Sequence, residues 1–230
     1  MEQTPFAPAR RFVDRILRSG WLQPTPKHLL FAFIGLMYAY VLWNNERFLF
    51  DSKHPEWAHI ESFKWWLLPH GLTAACALFL GPLQFSDRLR LRFAKAHRVM
   101  GRFYVAGVFI GAPLGIYIQY VEERMGMTRS FTFAAVADAA LWMFTTGMAL
   151  WFIRQRKIQQ HRQWMTRSFA GSLIFLEVRA IIVLTGWGQY AEIIVWCCVA
   201  ASIPLADLVL QFEDLRKAST VRLQIGRAHV

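Results

Sequence analysis

The chain of 230 residues is 55% hydrophobic and only 18% charged, which is too apolar for an ordinary soluble domain and excludes a disordered or collagen-like chain. Its formal net charge of +11 makes nucleic acid a candidate partner until the positions of the charges are considered. Its three cysteines lie in apolar segments, which excludes a disulfide scaffold and a CxxC metal site.

Six apolar segments are long enough to cross a bilayer as helices, which takes about 20 residues each. They cover residues 28–45, 66–85, 103–121, 131–153, 169–187 and 191–211. Short, charged connections separate them, and none of these connections has room for a soluble domain. The sequence therefore predicts an all-α integral membrane bundle of six transmembrane helices over residues 28–212.

Lysine and arginine are distributed unequally between the two sides of this bundle. The side that carries both termini has 19 of these residues, and the opposite side has 5. Because basic residues concentrate in cytoplasmic loops, both termini are predicted to be cytoplasmic. Topology and attraction to anionic phospholipid head groups then explain the basic excess, so no nucleic-acid partner is expected.

The two ends of the chain lie outside the predicted bundle. Residues 1–27 form a basic arm with apolar residues at helical spacing, which predicts an amphipathic helix on the cytoplasmic membrane surface, with a soluble partner-binding helix as the alternative. Residues 213–223 are predicted to be a cytoplasmic tail. Residues 224–230 resemble a sequencing-library adapter translated in frame, so we expect them to be an artefact.

Ionisable side chains within the predicted spans mark ligand sites or ion pairs, because charge is costly inside a bilayer. Four of them fall in the outer half of the bundle: His70, Asp138, Glu177 and Arg179. We predict that they line a site for a small ligand, an ion or a proton. The alternative is a purely structural ion pair between Asp138 and Arg179. Asp207 is expected at the cytoplasmic rim.

A second group of residues occurs at the cytoplasmic starts of the third and fifth spans, where a histidine is followed by arginine within two turns. This cytoplasmic motif comprises His97, Arg98, Gly101, Arg102, His161, Trp164 and Arg167. Two neutral imidazoles on neighbouring helices, His97 and His161, can ligate the iron of haem b, with arginines receiving its propionates. Against haem, both histidines are expected in basic interfacial loops. Contacts with lipid phosphates and binding of a quinone or another anionic ligand are the alternatives.

The sequence contains no nucleotide-binding loop, zinc-protease motif or hydrolase elbow, and no nucleophile with an aligned base, so no catalytic residue is predicted. The expected function is that of an inner-membrane protein with a polar ligand site and no assigned activity. The alternatives are a redox protein linked to haem or quinone, a small proton-coupled transporter and a structural subunit. An enzyme, if the protein is one, would be a membrane oxidoreductase, and a homo-oligomer is compatible with each alternative.

Three motifs carry a resemblance to known proteins. They are Gly81-Pro82-Leu83-Gln84-Phe85, His97-Arg98-x-x-Gly101-Arg102-x-Tyr104 and His161-x-x-Trp164-Met165-x-Arg167, and His70 matches a span histidine. Over roughly residues 30–212 the chain resembles a bacterial family of multi-pass membrane proteins catalogued as domain of unknown function 2306. The resemblance implies a multi-pass protein of the bacterial inner membrane and assigns no chemistry.

Overall fold

The computed structural model describes residues 26–228, apart from the side chains of residues 26–28, 88, 217 and 220–228. Within this range the chain is all-α, as predicted, with eight α-helices and no strand. The helices are α1 (Pro26–Asn45), α2 (Glu56–Ile60), α3 (Lys64–Gln84), α4 (Asp87–Arg92), α5 (Ala94–Arg124), α6 (Arg129–Arg154), α7 (Ile158–Thr185) and α8 (Ala191–Ala228).

Five segments of the described chain are helical, long and apolar enough to cross a membrane: α3, α5, α6, α7 and Gly188–Arg216, most of which belongs to α8. The remaining predicted span corresponds to the shorter apolar helix Leu29–Asn45. Large apolar side chains such as Trp65, Phe103 and Phe133 are exposed on the long helices. Lipid accommodates such surfaces and water does not, so the chain is a membrane protein with several spans.

Residues up to Tyr40 and residues from Val41 onward form two compact units. The described part of the first unit is a single apolar helical segment, residues 26–40. In the second unit the long helices pack in chain order, α3 on α5, α5 on α6, α6 on α7 and α7 on α8. Short connections make successive helices antiparallel, so α5 and α7 run in the same direction.

One end of the second unit is rich in arginine. It contains the connections from α3 to α5 and from α6 to α7, together with the helix turns that adjoin them. Its arginines include Arg90, Arg92, Arg98, Arg102, Arg154, Arg156 and Arg162. We call this the arginine-rich end.

The opposite end is closed by the connection between α1 and α3. Phe48 and Phe63 of this connection pack with Ile60 of α2 and Ile118 of α5 in one buried cluster. The indole of Trp57 donates a hydrogen bond of 2.9 Å to the Phe48 carbonyl oxygen. This connection is therefore folded onto the bundle and has a small apolar core of its own.

Small residues allow α3 and α5 to approach closely. A Cβ atom added at Gly107 would lie 2.7 Å from the carbonyl oxygen of Thr73, and one added at Gly111 would lie 2.9 Å from the Thr73 hydroxyl. A larger residue at either position would push the two helices apart. This contact fixes the position of α3 beside the middle of α5.

Two helices begin well before their apolar windows. α5 begins at Ala94 rather than at 103, and α7 begins at Ile158 rather than at 169. His97 and His161, which were expected in interfacial loops, are therefore helical, and that expectation was wrong. Alanine, lysine, arginine and glutamine all have high helix propensity, so a charged turn can extend a helix beyond the hydrocarbon layer.

The predicted terminal segments are described only in part. The backbone of α8 is helical to Ala228, so the residues predicted as the tail 213–223 continue the last helix. Residues 1–25 of the predicted amphipathic arm lie outside the described residues, as do residues 229–230 of the suspected adapter segment.

Candidate functional site

The structure brings two of the predicted histidines together at the arginine-rich end. His97 is the fourth residue of α5, and His161 is the fourth residue of α7. Because these helices run in the same direction, the two rings lie at a similar depth. They are close enough for their charges to interact. The His97 motif and the His161 motif therefore lie at the same end of the bundle.

The two imidazoles are held in different ways. Nδ1 of His161 lies 2.9 Å from the carbonyl oxygen of Ala149 on α6. A carbonyl oxygen can only accept, so Nδ1 donates, and the neutral ring keeps a free lone pair on Nε2. Nδ1 of His97 is buried and has no hydrogen-bond partner among the described residues. One ring thus has a fixed tautomer, and the other has an unused buried nitrogen.

Gln84, the last residue of α3, completes this arrangement. A Cβ atom added at Gly101 would lie 3.3 Å from Oε1 of Gln84, so the amide rests against Gly101. Gly101 is one turn beyond His97 on the same face of α5. Nε2 of Gln84 is also buried without a partner in the described part of the chain. We call His97, His161 and Gln84 the histidine site.

Positive charge surrounds the histidine site. Arg90 and Arg98 are near enough to His97 for an electrostatic interaction. Arg98 is exposed, as is Arg102 one turn further along α5. These guanidinium groups are available to an anionic group that reaches the site from the membrane surface.

The remaining residues of the cytoplasmic motif are engaged within the protein. Arg167 forms an ion pair of 2.7 Å with Asp207 of α8. Its guanidinium also lies 4.8 Å from the centroid of the Trp164 ring, within the range of a cation–π contact. Asp207, expected at the rim, is therefore the partner that ties α7 to α8.

The four residues predicted to line an outer ligand site have different partners. Asp138 is only 6% exposed and lies close enough to Glu177 for an electrostatic interaction. Oδ1 of Asp138 has no hydrogen-bond partner among the described residues. Asp138 of α6 and Glu177 of α7 are therefore two like-charged groups near each other, and no hydrogen bond between them is described.

Arg179 and His70 are oriented elsewhere. Arg179 forms an ion pair with Glu46, which directly follows α1. Nδ1 of His70 donates a hydrogen bond of 2.9 Å to the Gly111 carbonyl oxygen, across the α3–α5 contact. The suggested ion pair between Asp138 and Arg179 is thus replaced by the pair with Glu46. Depth along a helix gave no information about the face on which each side chain lies.

A buried cluster of hydroxyl groups lies two turns deeper than the histidine site. Tyr104 Oη is 2.8 Å from Ser168 Oγ, which is 2.7 Å from Thr146 Oγ1. Thr146 in turn donates to the Trp142 carbonyl oxygen at 2.7 Å. We call Tyr104, Thr146 and Ser168 the hydroxyl cluster. It joins α5, α6 and α7.

Sequence reasoning included Tyr104 only as part of a motif and missed Thr146 and Ser168. A signal was present, since Tyr104 follows His97 by seven residues and Ser168 follows His161 by seven residues. Seven residues are two helical turns, so each hydroxyl lies on the same face as its histidine.

A family profile described as "Predicted membrane protein (DUF2306)" matches residues 67–210, which is more than half of the chain. The chain belongs to this family. The resemblance expected from the three motifs is confirmed, and the range matched by DUF2306 contains the histidine site and the hydroxyl cluster. No curated protein and no solved structure matches the chain.

Within the DUF2306 range, the histidine site contains two imidazoles that could ligate a metal. Haem iron takes two axial ligands, whereas zinc in a structural site takes four. The described residues contain no group of three or more His, Cys, Asp or Glu side chains that could hold a metal ion. Two imidazoles match the number of axial ligands that haem iron takes.

Proposed function

We propose that this DUF2306 protein is a membrane redox protein that binds haem b, with His97 and His161 as the axial ligands. The observation that carries the proposal is the placement of two imidazoles as the fourth residues of α5 and α7, two helices that run in the same direction. Neutral imidazoles are the common axial ligands of such haems, and here each comes from a different rigid helix.

The surrounding residues support the same assignment. The Ala149 carbonyl oxygen holds Nδ1–H of His161, which leaves Nε2 as the ligating atom and fixes the orientation of the ring. Arg98 supplies positive charge beside His97, which suits the carboxylates of haem propionates, whereas Arg90 is already paired with Asp87. When bound, haem would supply reversible one-electron chemistry, because its iron gains one electron on reduction and loses it on oxidation.

We also propose that the bundle lies in a bacterial inner membrane with its arginine-rich end on the cytoplasmic side. Basic residues favour that side, and anionic lipid head groups of the cytoplasmic leaflet attract them. In this orientation the histidine site lies near the cytoplasmic surface. An electron donor dissolved in the bilayer or in the cytoplasm can then reach it.

Absorption spectroscopy of protein purified from cells supplied with haem tests the assignment. The wild-type protein is expected to show a Soret band, and distinct α and β bands after reduction with dithionite. His97→Ala and His161→Ala are each expected to lose most of the bound haem, because each removes an axial ligand. His59→Ala is the matched control, since His59 is exposed and pairs with Glu122 away from the site, so its haem content should equal the wild-type value.

A variant that keeps a ligand separates ligation from folding. His161→Met is expected to retain haem with a raised reduction potential, because a thioether replaces an imidazole. Wild-type protein that stays colourless after haem supply and after addition of hemin would overturn the proposal. Full haem content in both alanine variants would overturn it as well.

A further inference from the structure

Two polar atoms of the histidine site are buried without a partner among the described residues, Nδ1 of His97 and Nε2 of Gln84. Buried polar groups are nearly always hydrogen-bonded, so two such atoms at one place indicate a missing partner. The amide Nε2 is a donor. Nδ1 of a neutral histidine also becomes a donor when Nε2 binds a metal. With Nε2 of His97 bound to haem iron as proposed above, both atoms would therefore require an acceptor.

Gln84 contacts the face of α5 that also carries His97. The Gln84 side chain rests against Gly101, which is one helical turn from His97 on the same face of α5. A Cβ atom at position 101 would press on this amide, which would have to shift by a few tenths of an ångström.

Aromatic residues lie next to Gln84. Phe85 follows Gln84 directly, and its ring meets that of Phe169 edge to face at 5.7 Å between centroids. Phe169 in turn packs against Gly81, where no side chain intervenes. A ligand here needs an acceptor oxygen and a flat apolar body, and it must be able to enter from the bilayer.

We propose that the histidine site binds a quinone, with Gln84 and His97 donating hydrogen bonds to one of its carbonyl oxygens. This inference rests on the proposed haem function, because a quinol bound here would donate its electrons to the haem held by His97. Quinones dissolve in the bilayer, and their carbonyl oxygens are acceptors without charge. They match the two donors and the aromatic residues next to Gln84.

The electron count defines the reaction. Oxidation of one quinol to quinone breaks two O–H bonds and releases two electrons and two protons. A bound haem would take up one electron, so the two electrons of one quinol would reduce two protein molecules in succession. The protons leave to water at the arginine-rich end. Gln84 serves both forms, since its amide donates to a carbonyl oxygen of the quinone and accepts from a hydroxyl of the quinol.

Equilibrium binding of a radiolabelled short-chain benzoquinone to the full chain in nanodiscs tests the site without reference to haem. Saturable binding is expected, and Gln84→Leu is expected to weaken it about tenfold, the effect of one lost hydrogen bond. Gln155→Leu is the matched control, because Gln155 is an exposed glutamine at the same end. Absence of saturable binding, as expected if water alone satisfies the two donors, would overturn the inference. Equal binding by Gln84→Leu and wild type would overturn it too.

Reduction by the corresponding benzoquinol is the second measurement. Gln84→Leu is expected to slow the appearance of the haem α band about tenfold, while its dithionite-reduced spectrum stays the same as that of the wild type. The unchanged spectrum shows that the variant is folded. A protein without haem contradicts the proposed function, and the binding measurement alone then decides the inference. Haem that dithionite reduces but benzoquinol does not would overturn the inference and leave haem binding intact.

Discussion

The histidine site and the hydroxyl cluster lie about 10 Å apart along α5 and α7, yet their polar groups are paired to different degrees. In the hydroxyl cluster, Ser168 bonds to Tyr104 at 2.8 Å and to Thr146 at 2.7 Å, and all three side chains are buried. At the histidine site, Nδ1 of His97 and Nε2 of Gln84 are buried without partners among the described residues.

This difference separates structure from function. Buried hydroxyl groups that bond to one another stabilise the fold, whereas a buried donor without an acceptor costs free energy that a ligand or water can recover. The hydroxyl cluster fixes α5 relative to α7, and so it also fixes the relative depth of the two histidines. We infer that the cluster is the rigid support on which the histidine site is held ready for its ligands.

The largest expected effect is that of Ser168→Ala. This change removes the one group that joins Tyr104 to Thr146, and it leaves the Tyr104 hydroxyl without that partner. We expect the free energy of unfolding to fall by about 2 kcal/mol, measured by reversible unfolding in mixed micelles.

Ser202→Ala is the control for Ser168→Ala. Ser202 is equally buried, but its hydroxyl donates to the Val199 carbonyl oxygen of its own helix. Its loss should cost less than about 1 kcal/mol, because no other group is left without a partner. Equal losses for the two serines would show that the cluster contributes nothing as a connection between helices.

Hydropathy predicted the membrane-embedded part of the fold well. The fourth window ends at 153 and α6 ends at Arg154, because the hydrocarbon layer imposes its thickness on the apolar pattern. The beginnings of α5 and α7 were misplaced by nine and eleven residues, since helical turns outside the hydrocarbon layer carry charge. Helix propensity, rather than hydropathy, is the signal that would have located them.

The candidate site was predictable only where the sequence repeats itself. His97 and His161 occupy matching motifs, and matching positions on parallel helices bring them together. The ion pair of Arg179 with Glu46 was missed, because its acidic partner lies just after α1 and outside every predicted span. The unpaired amide of Gln84 depends on how α3 meets α5, and a motif in one segment cannot show that.

Asp138→Asn extends the comparison to a third polar region, the interior acidic pair. Oδ1 of Asp138 lacks a hydrogen-bond partner in the described structure, and its neighbour Glu177 is also acidic. A neutral amide of the same shape can donate to Glu177 and avoids burying a second carboxylate. We expect the variant to be more stable by about 1 kcal/mol in the same unfolding measurement.

Asp207→Asn is expected to change the unfolding free energy in the opposite direction. Asp207 pairs with Arg167 at 2.7 Å, and both side chains are partly exposed. Its neutralisation should lower the unfolding free energy by up to about 1 kcal/mol, because it weakens a favourable pair. If Asp138→Asn is destabilising instead, Asp138 makes a favourable interaction of its own and does not belong with the unpaired groups.

The smallest expected effect on stability is the most informative about the histidine site. Gln84→Leu replaces a buried amide, whose donor has no described partner, with an apolar side chain of similar size. Without ligand, we expect the variant to be as stable as the wild type or to gain about 0.5 kcal/mol, since no hydrogen bond is lost and less polar surface is buried. Gln155→Leu, at an exposed position, should change little. A loss of about 1 kcal/mol or more in Gln84→Leu would mean that the amide is already satisfied in the free protein. The contrast between the histidine site and the hydroxyl cluster would then fail. Unchanged stability together with weaker quinone binding would instead show that this glutamine is retained for the ligand.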